Sequence, residues 1–238
     1  MSDTLVTWAD FDGTTWRGFT AQQMNSTVSY KVNDLKGIIL SYNDLRGWNF
    51  AGQNLTEANF SRATLAGADL RAAWCFDPPL TAATRNTIWP DGEIKGLDLT
   101  EGDALVIQDF DLVITVTSQF TVADGGALEL LINDADWGLT VGVTADVSPQ
   151  LSGTFQLGFS PEANRFGVEG KTFDPFDWPG PLATENRFSV VVSPPGILWD
   201  LSQLYTSGEV TLTAVPEPSS LSLAALAIFC MFGYGRRR

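Results

Sequence analysis

The sequence predicts an all-β chain that begins as a regular coil and ends in a single hydrophobic helix. Apolar residues recur every five positions over residues 35–75, and short alternating or β-branched runs fill residues 104–215. An apolar stretch followed by three arginines closes the chain. Gly, Asn, Asp and Thr are plentiful and Lys is scarce, and this composition favours turns and strands over long helices.

A period of five fits neither an α-helix nor a flat strand, but it fits a chain that turns a corner every five residues. Four such sides make a square coil of about twenty residues, the fixed-period signature of a solenoid. The apolar centre of each side is predicted to point inward, together with a small residue two positions before it. The predicted core centres are Leu35, Leu40, Leu45, Phe50, Leu55, Phe60, Leu65 and Leu70, with Cys75 as a ninth.

The stretches ANFSR, ATLAG and ADLRA resemble the pentapeptide-repeat family. The resemblance implies a right-handed quadrilateral β-helix over residues 30–75. Trp48 is too large for a tight corner, so we expect the early coils to be distorted. Val6, Phe11 and Trp16 also lie five apart, and residues 1–29 are therefore interpreted as the remnant of a preceding repeat block, with Met1 inside a repeat.

The second half is predicted to be a β-rich domain over residues 92–214, joined to the repeats by a turn-rich hinge over residues 76–91. We expect strands near 104–110, 112–120, 127–132, 139–147, 151–159, 186–193 and 209–215. A sandwich, a barrel and a continued solenoid all fit this spacing. A solenoid-like stack is favoured, because it would cap the open end of the repeat coils.

The last segment, residues 215–238, combines Pro216-Glu217-Pro218, an apolar run and Arg236-Arg237-Arg238. As a helix, about seventeen residues would span about 25 Å, slightly less than the ~30 Å core of a bilayer. This order resembles the PEP-CTERM sorting signal of exported bacterial proteins. The resemblance implies an exosortase-type partner, a transmembrane helix with cytoplasmic arginines, and a final location at the cell surface or outside the cell.

The stretches NTIWPDGEIKGLDL and TFDPFDW, with the repeats and the tail, also resemble planctomycete-type exported proteins. That likeness implies location and architecture but no mechanism.

Composition excludes several classes of function. The chain has no histidine, which removes Ser-His-Asp and Cys-His pairs and the commonest zinc ligand. The net charge is −14, and without the three terminal arginines it is −17. Because such an acidic chain repels phosphate backbones, direct binding to nucleic acid is disfavoured. We therefore expect no enzyme activity, no catalytic residue, no cofactor and no metal site.

The leading hypothesis is an exported structural or adhesive protein of the cell surface. One alternative is a protein that binds or acts on extracellular polysaccharide, with tryptophans as a sugar-stacking platform and paired carboxylates as catalysts. The tryptophans are Trp89, Trp137, Trp178 and Trp199. The carboxylates are Asp109 with Asp111, Asp124, Asp134 with Asp136, and Asp174 with Asp177. The stretch NDADWG, residues 133–138, also has a faint likeness to a calcium loop.

A DNA mimic is the other alternative, because some pentapeptide-repeat proteins imitate the charge of duplex DNA. The repeat region argues against it, since residues 30–75 carry five basic and four acidic groups. A mimic needs a strongly acidic face along the coil.

Overall fold

The chain is mostly β, with few helices, in the computed structural model, which describes residues 3–74, 82–108, 110–134, 141–161, 163 and 167–214. Coil stacks on coil from the first described residues almost to the last. The coils of the repeat region come first, and wider coils built from short strands follow them.

The repeat coils keep a register of twenty residues. The parallel bridges join Asp34 to Asn54, Ile39 to Asn59, Asp44 to Thr64, Asn49 to Asp69 and Asn54 to Trp74. Each coil thus has four bridge positions, five residues apart. The register passes Trp48 unbroken, so the expected distortion is absent. The Trp48 side chain is buried, with its ring 6.1 Å from that of Phe50, because the interior of the coil is wide enough to take it.

Each corner of these coils holds one residue in the left-handed conformation. These residues have φ between 52° and 69° and are Gly37, Tyr42, Gly47, Gly52, Glu57, Arg62, Gly67 and Ala72. In most repeats an Asp or Asn lies three positions before the left-handed residue. Its side chain accepts a hydrogen bond from the backbone N–H of the residue two positions after it. The N–H of Ala51 donates to Oδ1 of Asn49 at 2.8 Å, for example. The Asp/Asn signature of the repeat is therefore a turn-forming device.

An N-terminal coil with an insertion precedes the regular ones. Asp10 bridges to Ile39, 29 residues on, so this coil is nine residues longer than its neighbour. The extra length lies in a 3₁₀ helix over Thr14–Arg17, helix α1 over Ala21–Asn25 and helix α2 over Val28–Lys31. Residues 8–13 stack on residues 36–41 through backbone hydrogen bonds.

Strong capping residues explain why such short helices form. Thr20 and Gln23 make a capping box at the start of α1, and the hydroxyl of Thr27 accepts from the N–H of Tyr30 in α2. Met24 of α1 is fully buried in the core of the repeat coils. The helices therefore cover part of the coil interior, as tertiary packing requires of helices this short.

Fourteen strands form the described part of the second half. They are β1 Glu93–Ile94, β2 Leu97–Leu99, β3 Ala104–Gln108, β4 Ile114–Val116, β5 Phe120–Val122, β6 Ala127–Ile132, β7 Val141–Val143, β8 Gln150–Leu151, β9 Thr154–Phe159, β10 Thr172–Phe173, β11 Phe176–Asp177, β12 Val190–Val192, β13 Leu198–Asp200 and β14 Val210–Ala214.

Three parallel sheets make this part a solenoid. Their strand orders are β1-β4-β7-β11, β2-β5-β8 and β3-β6-β9-β12. Consecutive strands of one coil lie in different sheets, so each coil passes through all three faces before the next begins. Ala104 pairs with Ala127, which pairs with Thr154, so the coil lengthens from 23 to 27 residues. An antiparallel sandwich is thereby ruled out for these strands.

Alternation places the apolar side chains inside these coils. Leu128, Leu130 and Ile132 of β6 are fully buried, while the residues between them are half-buried. A separate antiparallel sheet contains β10, β14 and β13, and its strand β10 precedes the last coil strands β11 and β12.

The stretch predicted as a hinge is, over residues 83–90, a further turn of the coil. Ala83 bridges to Thr64 and Ile88 to Asp69, each nineteen residues back. Ile88 also packs into the core of the second half. Pro90 excludes a helix but not a coil corner, and its carbonyl accepts the N–H of Ala72 at 2.8 Å.

A buried ion pair joins the two kinds of coil. The guanidinium of Arg71 is fully buried and donates to the carboxylate of Asp69, with Nη2 and Oδ2 2.6 Å apart. The same group donates to the carbonyls of Gln108 and Leu112 at 2.6 and 3.3 Å, and it lies over the ring of Phe110. One side chain thus holds the β3–β4 connection on the last repeat coils.

Tyr30 fixes α2 to the coil beneath it. Its hydroxyl donates to the carbonyl of Asn49 at 2.8 Å, and its own carbonyl accepts from Nε2 of Gln53 at 3.0 Å. Burial, and secondarily the carboxylate of Asp69, raises the pKa of Tyr30 to about 12. The phenol therefore stays protonated in the folded state where a free tyrosine would ionise.

We expect Arg71→Met to lower the free energy of unfolding by about 3–5 kcal/mol, because it leaves the carboxylate of Asp69 buried without its charged partner. Denaturant unfolding followed by circular dichroism measures this loss. Arg62→Met is the matched control, since Arg62 is an exposed arginine of the preceding repeats, and we expect it to change stability by less than about 0.5 kcal/mol. Equal effects of the two substitutions would contradict the role given to Arg71.

We expect stability to fall between about pH 10 and pH 12 because of Tyr30. The unfolded phenol has the ordinary tyrosine pKa of 10.0, while in the folded state its pKa is about 12. The contribution is therefore complete below pH 10 and is lost as the pH rises, by up to roughly 2–3 kcal/mol. Denaturation midpoints across this range measure it.

Tyr30→Phe is the comparison for that pH series. It should cost about 1 kcal/mol at neutral pH through the lost hydrogen bond. It should also flatten the decline above pH 10, and an unchanged decline would show that other groups cause it.

Candidate functional site

The predicted repeat centres all lie inside the coil. Their exposed fractions are between 0 and 2% for Leu35, Leu40, Leu45, Phe50, Leu55, Phe60, Leu65 and Leu70. They form one cluster with smaller side chains such as Ala63 and Ala68. Cys75 lies outside the described residues.

The predicted sorting residues Pro216, Glu217, Pro218, Arg236, Arg237 and Arg238 also lie outside the described residues. Within the part of the chain that the structure describes, no helix has the length and apolar character needed to span a bilayer.

The predicted sugar-stacking platform is wrong for Trp178, which is buried. Trp178 is only 6% exposed, with its indole stacked on Phe176 at 4.4 Å and its Nε1–H donating to the carbonyl of Leu204. Trp199 is half-buried beside Phe173. Both side chains point toward the core of the second half: Trp178 belongs to this core, and Trp199 packs against it. Trp89 is half-buried, and Trp137 lies outside the described residues.

The carboxylates considered as catalysts do not converge on a cleft. Asp111, Asp124, Asp134, Asp174 and Asp177 are exposed. Partial burial, and then the nearby carboxylates of Glu209 and Asp177, raise the pKa of Asp174. Asp109 and Asp136, with most of the calcium-like stretch, lie outside the described residues.

Among residues 3–74, 82–108, 110–134, 141–161, 163 and 167–214, no cluster of three or more Asp, Glu or Cys side chains is placed to hold a metal ion.

Two neighbouring clefts follow one corner of the stack, and we call them together the corner groove. The first has a volume of about 380 Å³ and is lined by Thr15, Trp16, Phe19, Thr20, Ala21, Asp44, Arg46 and Trp48. The second has a volume of about 220 Å³ and is lined by Arg46, Gly47, Ala66, Gly67, Asn86, Leu99, Gly102, Asp103 and Ala104. Arg46 borders both clefts. The groove therefore passes over the corners of successive coils, from the N-terminal coil to the β2–β3 turn.

Trp16 stands at the N-terminal end of the corner groove and is 77% exposed. Trp16 lies five residues after Phe11, in the spacing interpreted as a remnant of repeats, but its side chain points outward, whereas that of Val6 is buried. The 3₁₀ helix replaces the repeat at residue 14 and turns the side chain outward. The indole Nε1–H donates to the carbonyl of Tyr42 at 3.0 Å, which fixes the exposed ring in place.

Hydrogen bonds hold the loop that carries Trp16 on the next coil. The N–H of Thr15 donates to Oδ1 of Asn43 at 2.8 Å, and its hydroxyl accepts the N–H of Asp44 at 2.9 Å. Phe19 and Trp48, with ring centroids 5.7 Å apart, form the apolar floor of this cleft. The wall of the groove is therefore rigid before any ligand arrives.

The charged groups of the corner groove are paired with one another. Nε of Arg46 lies 3.4 Å from Oδ1 of Asp44. At the far end Arg85 lies 3.0 Å from Asp98 and 3.2 Å from Asp103. Hydrogen bonds from Thr100, backbone first, lower the pKa of Asp103, with smaller contributions from Arg85 and Arg46. The lowered pKa favours the charged form of Asp103.

Asn86 ties the second cleft to the strand beside it. Its side chain donates to the carbonyl of Asp98 at 2.9 Å and accepts the N–H of the same residue at 2.7 Å. Gly67 and Ala66 leave the middle of the groove open, since a larger residue there would fill it. No motif in the sequence predicted this arrangement, because it joins residues from five separate coils.

Comparison with known proteins identifies two segments of the chain. Residues 34–73 match the family of pentapeptide repeats, with eight copies, and residues 214–238 match the PEP-CTERM protein-sorting motif. No curated protein and no solved structure was found to match the chain. The predicted resemblances to pentapeptide repeats and to the PEP-CTERM sorting signal are thereby confirmed. The chain carries pentapeptide repeats, and its C-terminal motif supports export, recognition by an exosortase-type enzyme and the cell surface as destination.

Proposed function

We propose that this chain is a non-enzymatic structural protein with an adhesive role, displayed at the cell surface after its C-terminal signal has been processed. The observation that carries the proposal is the stack of coils from the N-terminal coil to β12, together with an antiparallel sheet whose last strand, β14, ends where the sorting motif begins. Roughly eight coils at ~4.8 Å each make a body about 40 Å long. A stack in which each coil contacts only its neighbours is suited to a spacer.

The histidine-free composition supports a role without catalysis, since histidine is the side chain most often used as a general acid or base near neutral pH. The burial of the inward tryptophans and the scattered surface carboxylates support the same view. We also propose that the repeat coil is the right-handed quadrilateral helix implied by its family. The apolar run within residues 219–235 is proposed to be the transmembrane helix held until processing, with the arginines on the cytoplasmic side.

Changing Pro216, Glu217 and Pro218 together to alanine is expected to block processing. The wild-type chain should be recovered from the surface or medium without its final residues, as measured by intact mass. The triple variant should keep Arg238 and stay in the membrane fraction, because the signal for the sorting enzyme is gone.

A matched control uses the other Pro-Glu pair of the chain. Pro161 and Glu162 lie in the body with no apolar run after them, and their change to alanine should leave the mass and location of the product unchanged. A wild-type chain found intact in the cytosol would contradict the proposed function.

A further inference from the structure

We propose that the corner groove binds an extended neutral polysaccharide, with the indole of Trp16 stacking on one sugar ring and the paired side chains of Asp44 and Arg46 hydrogen-bonding to hydroxyl groups. This inference names the adhesive partner of the protein and rests on the surface role proposed above.

The exposed indole is the first observation. A tryptophan that is 77% exposed leaves a large apolar face in water, which is unfavourable unless something covers it. The hydrogen bond from its Nε1–H to Tyr42 orients the ring, so covering it loses little conformational entropy. A flat face with a polar edge suits a pyranose ring, which has apolar C–H faces and a polar rim.

The pairing of the charges selects a neutral ligand. Arg46 already contacts Asp44, and Arg85 already contacts Asp98 and Asp103, so both cations are engaged and the five groups together carry one negative charge. Carboxylates and guanidinium groups arranged in this way still accept and donate further hydrogen bonds. A polyhydroxylated ligand can use both kinds of group, whereas an ionic ligand would have to compete with the existing pairs.

The shape of the groove selects a polymer over a single sugar. Arg46 lines both clefts, and their lining residues come from the corners of five successive coils. Five stacked corners span about 19 Å at the ~4.8 Å spacing of adjacent strands. The first cleft, at about 380 Å³, is of the size that small-molecule sites have, and the second, at about 220 Å³, is smaller.

A peptide fits this surface less well. Peptides bind to solenoids and sheets by adding a strand to a free edge or by filling apolar pockets. At this corner the coils are already joined to one another, as at the bridge of Asp44 with Thr64 and of Thr64 with Ala83. The middle of the groove presents the small residues Ala66 and Gly67 in place of an apolar pocket.

The test measures binding of neutral hexasaccharides to the full chain in a zwitterionic detergent that carries no sugar headgroup. The probes are β-1,4-linked hexamers of glucose, mannose and xylose, with a hexagalacturonate as the anionic comparison. Calorimetric titration should give binding of at least one neutral hexamer, with an affinity that changes little with salt. Trp16→Ala should weaken this binding about tenfold or more.

Two further variants make the result specific. Trp74→Ala is the matched control, because Trp74 is 66% exposed on a side of the coil that carries the Asn54 bridge and not the Asp44 bridge. It should leave binding unchanged. Arg46→Ala should weaken binding severalfold, and Trp16→Phe, which keeps an aromatic face, should weaken it less than Trp16→Ala. Equal melting temperatures of the variants would show that folding is not the cause.

Three results would overturn the proposal. They are no binding of any neutral hexamer at millimolar concentration, equal binding by Trp16→Ala and the wild-type chain, and a preference for hexagalacturonate. Each leaves the processing and location of the chain untouched, so failure of this inference is distinguishable from failure of the proposed function.

Discussion

Backbone hydrogen bonds between parallel coils are the interaction on which the rest of this structure depends. From residue 8 onward, the N–H and C=O groups of one coil meet those of the next, as where Leu40 donates to Asn59 and Leu65 to Ala83. These bonds fix the height of every residue along the stack. Because a slip of one residue would turn inward side chains outward, the positions of the side chains inside and outside follow from this register.

The corners are the second constraint, and they explain why the repeat has the sequence it has. A turn every five residues needs a left-handed residue, and in four of the eight regular corners glycine supplies it without steric cost. In the other four the conformation is carried by Tyr42, Glu57, Arg62 and Ala72, where neighbouring turns and packing hold it. Corners stacked on one another create continuous surfaces along the axis, and the corner groove is one of them.

The junction between the two kinds of coil shows how a solenoid changes its period without ending. The repeat coils have four bridge positions and the later coils three sheets, so their outlines do not match. The coil of residues 83–90 stands between them, and Arg71 reaches from the repeats to the carbonyls of Gln108 and Leu112. A guanidinium with its many donors can satisfy several carbonyls at such a mismatch, which a smaller side chain could not.

Local patterns in the sequence predict the repeat coils, the sorting motif and most of the longer strands. A strict period of five and the alternation in β3, β6 and β9 are local patterns, and they state directly which side chains face inward. They do not predict β1, β2, β8, β10, β11 or β13, which are two or three residues long, nor the coil of residues 83–90. Segments this short have no readable period, and they become strands only because the preceding coil offers them hydrogen-bond partners.

The contacts between aromatic and charged side chains depend on the tertiary structure and could not be predicted from local sequence patterns. Trp16 shares the five-residue spacing of Val6 and Phe11 but points outward, because a 3₁₀ helix begins two residues before it. Trp178 is of a residue type that often binds sugars, but its side chain lies in the core. The corner groove draws on residues 15 to 104, and their nearness depends on the stacking of coils of different lengths, which no local pattern in the chain specifies.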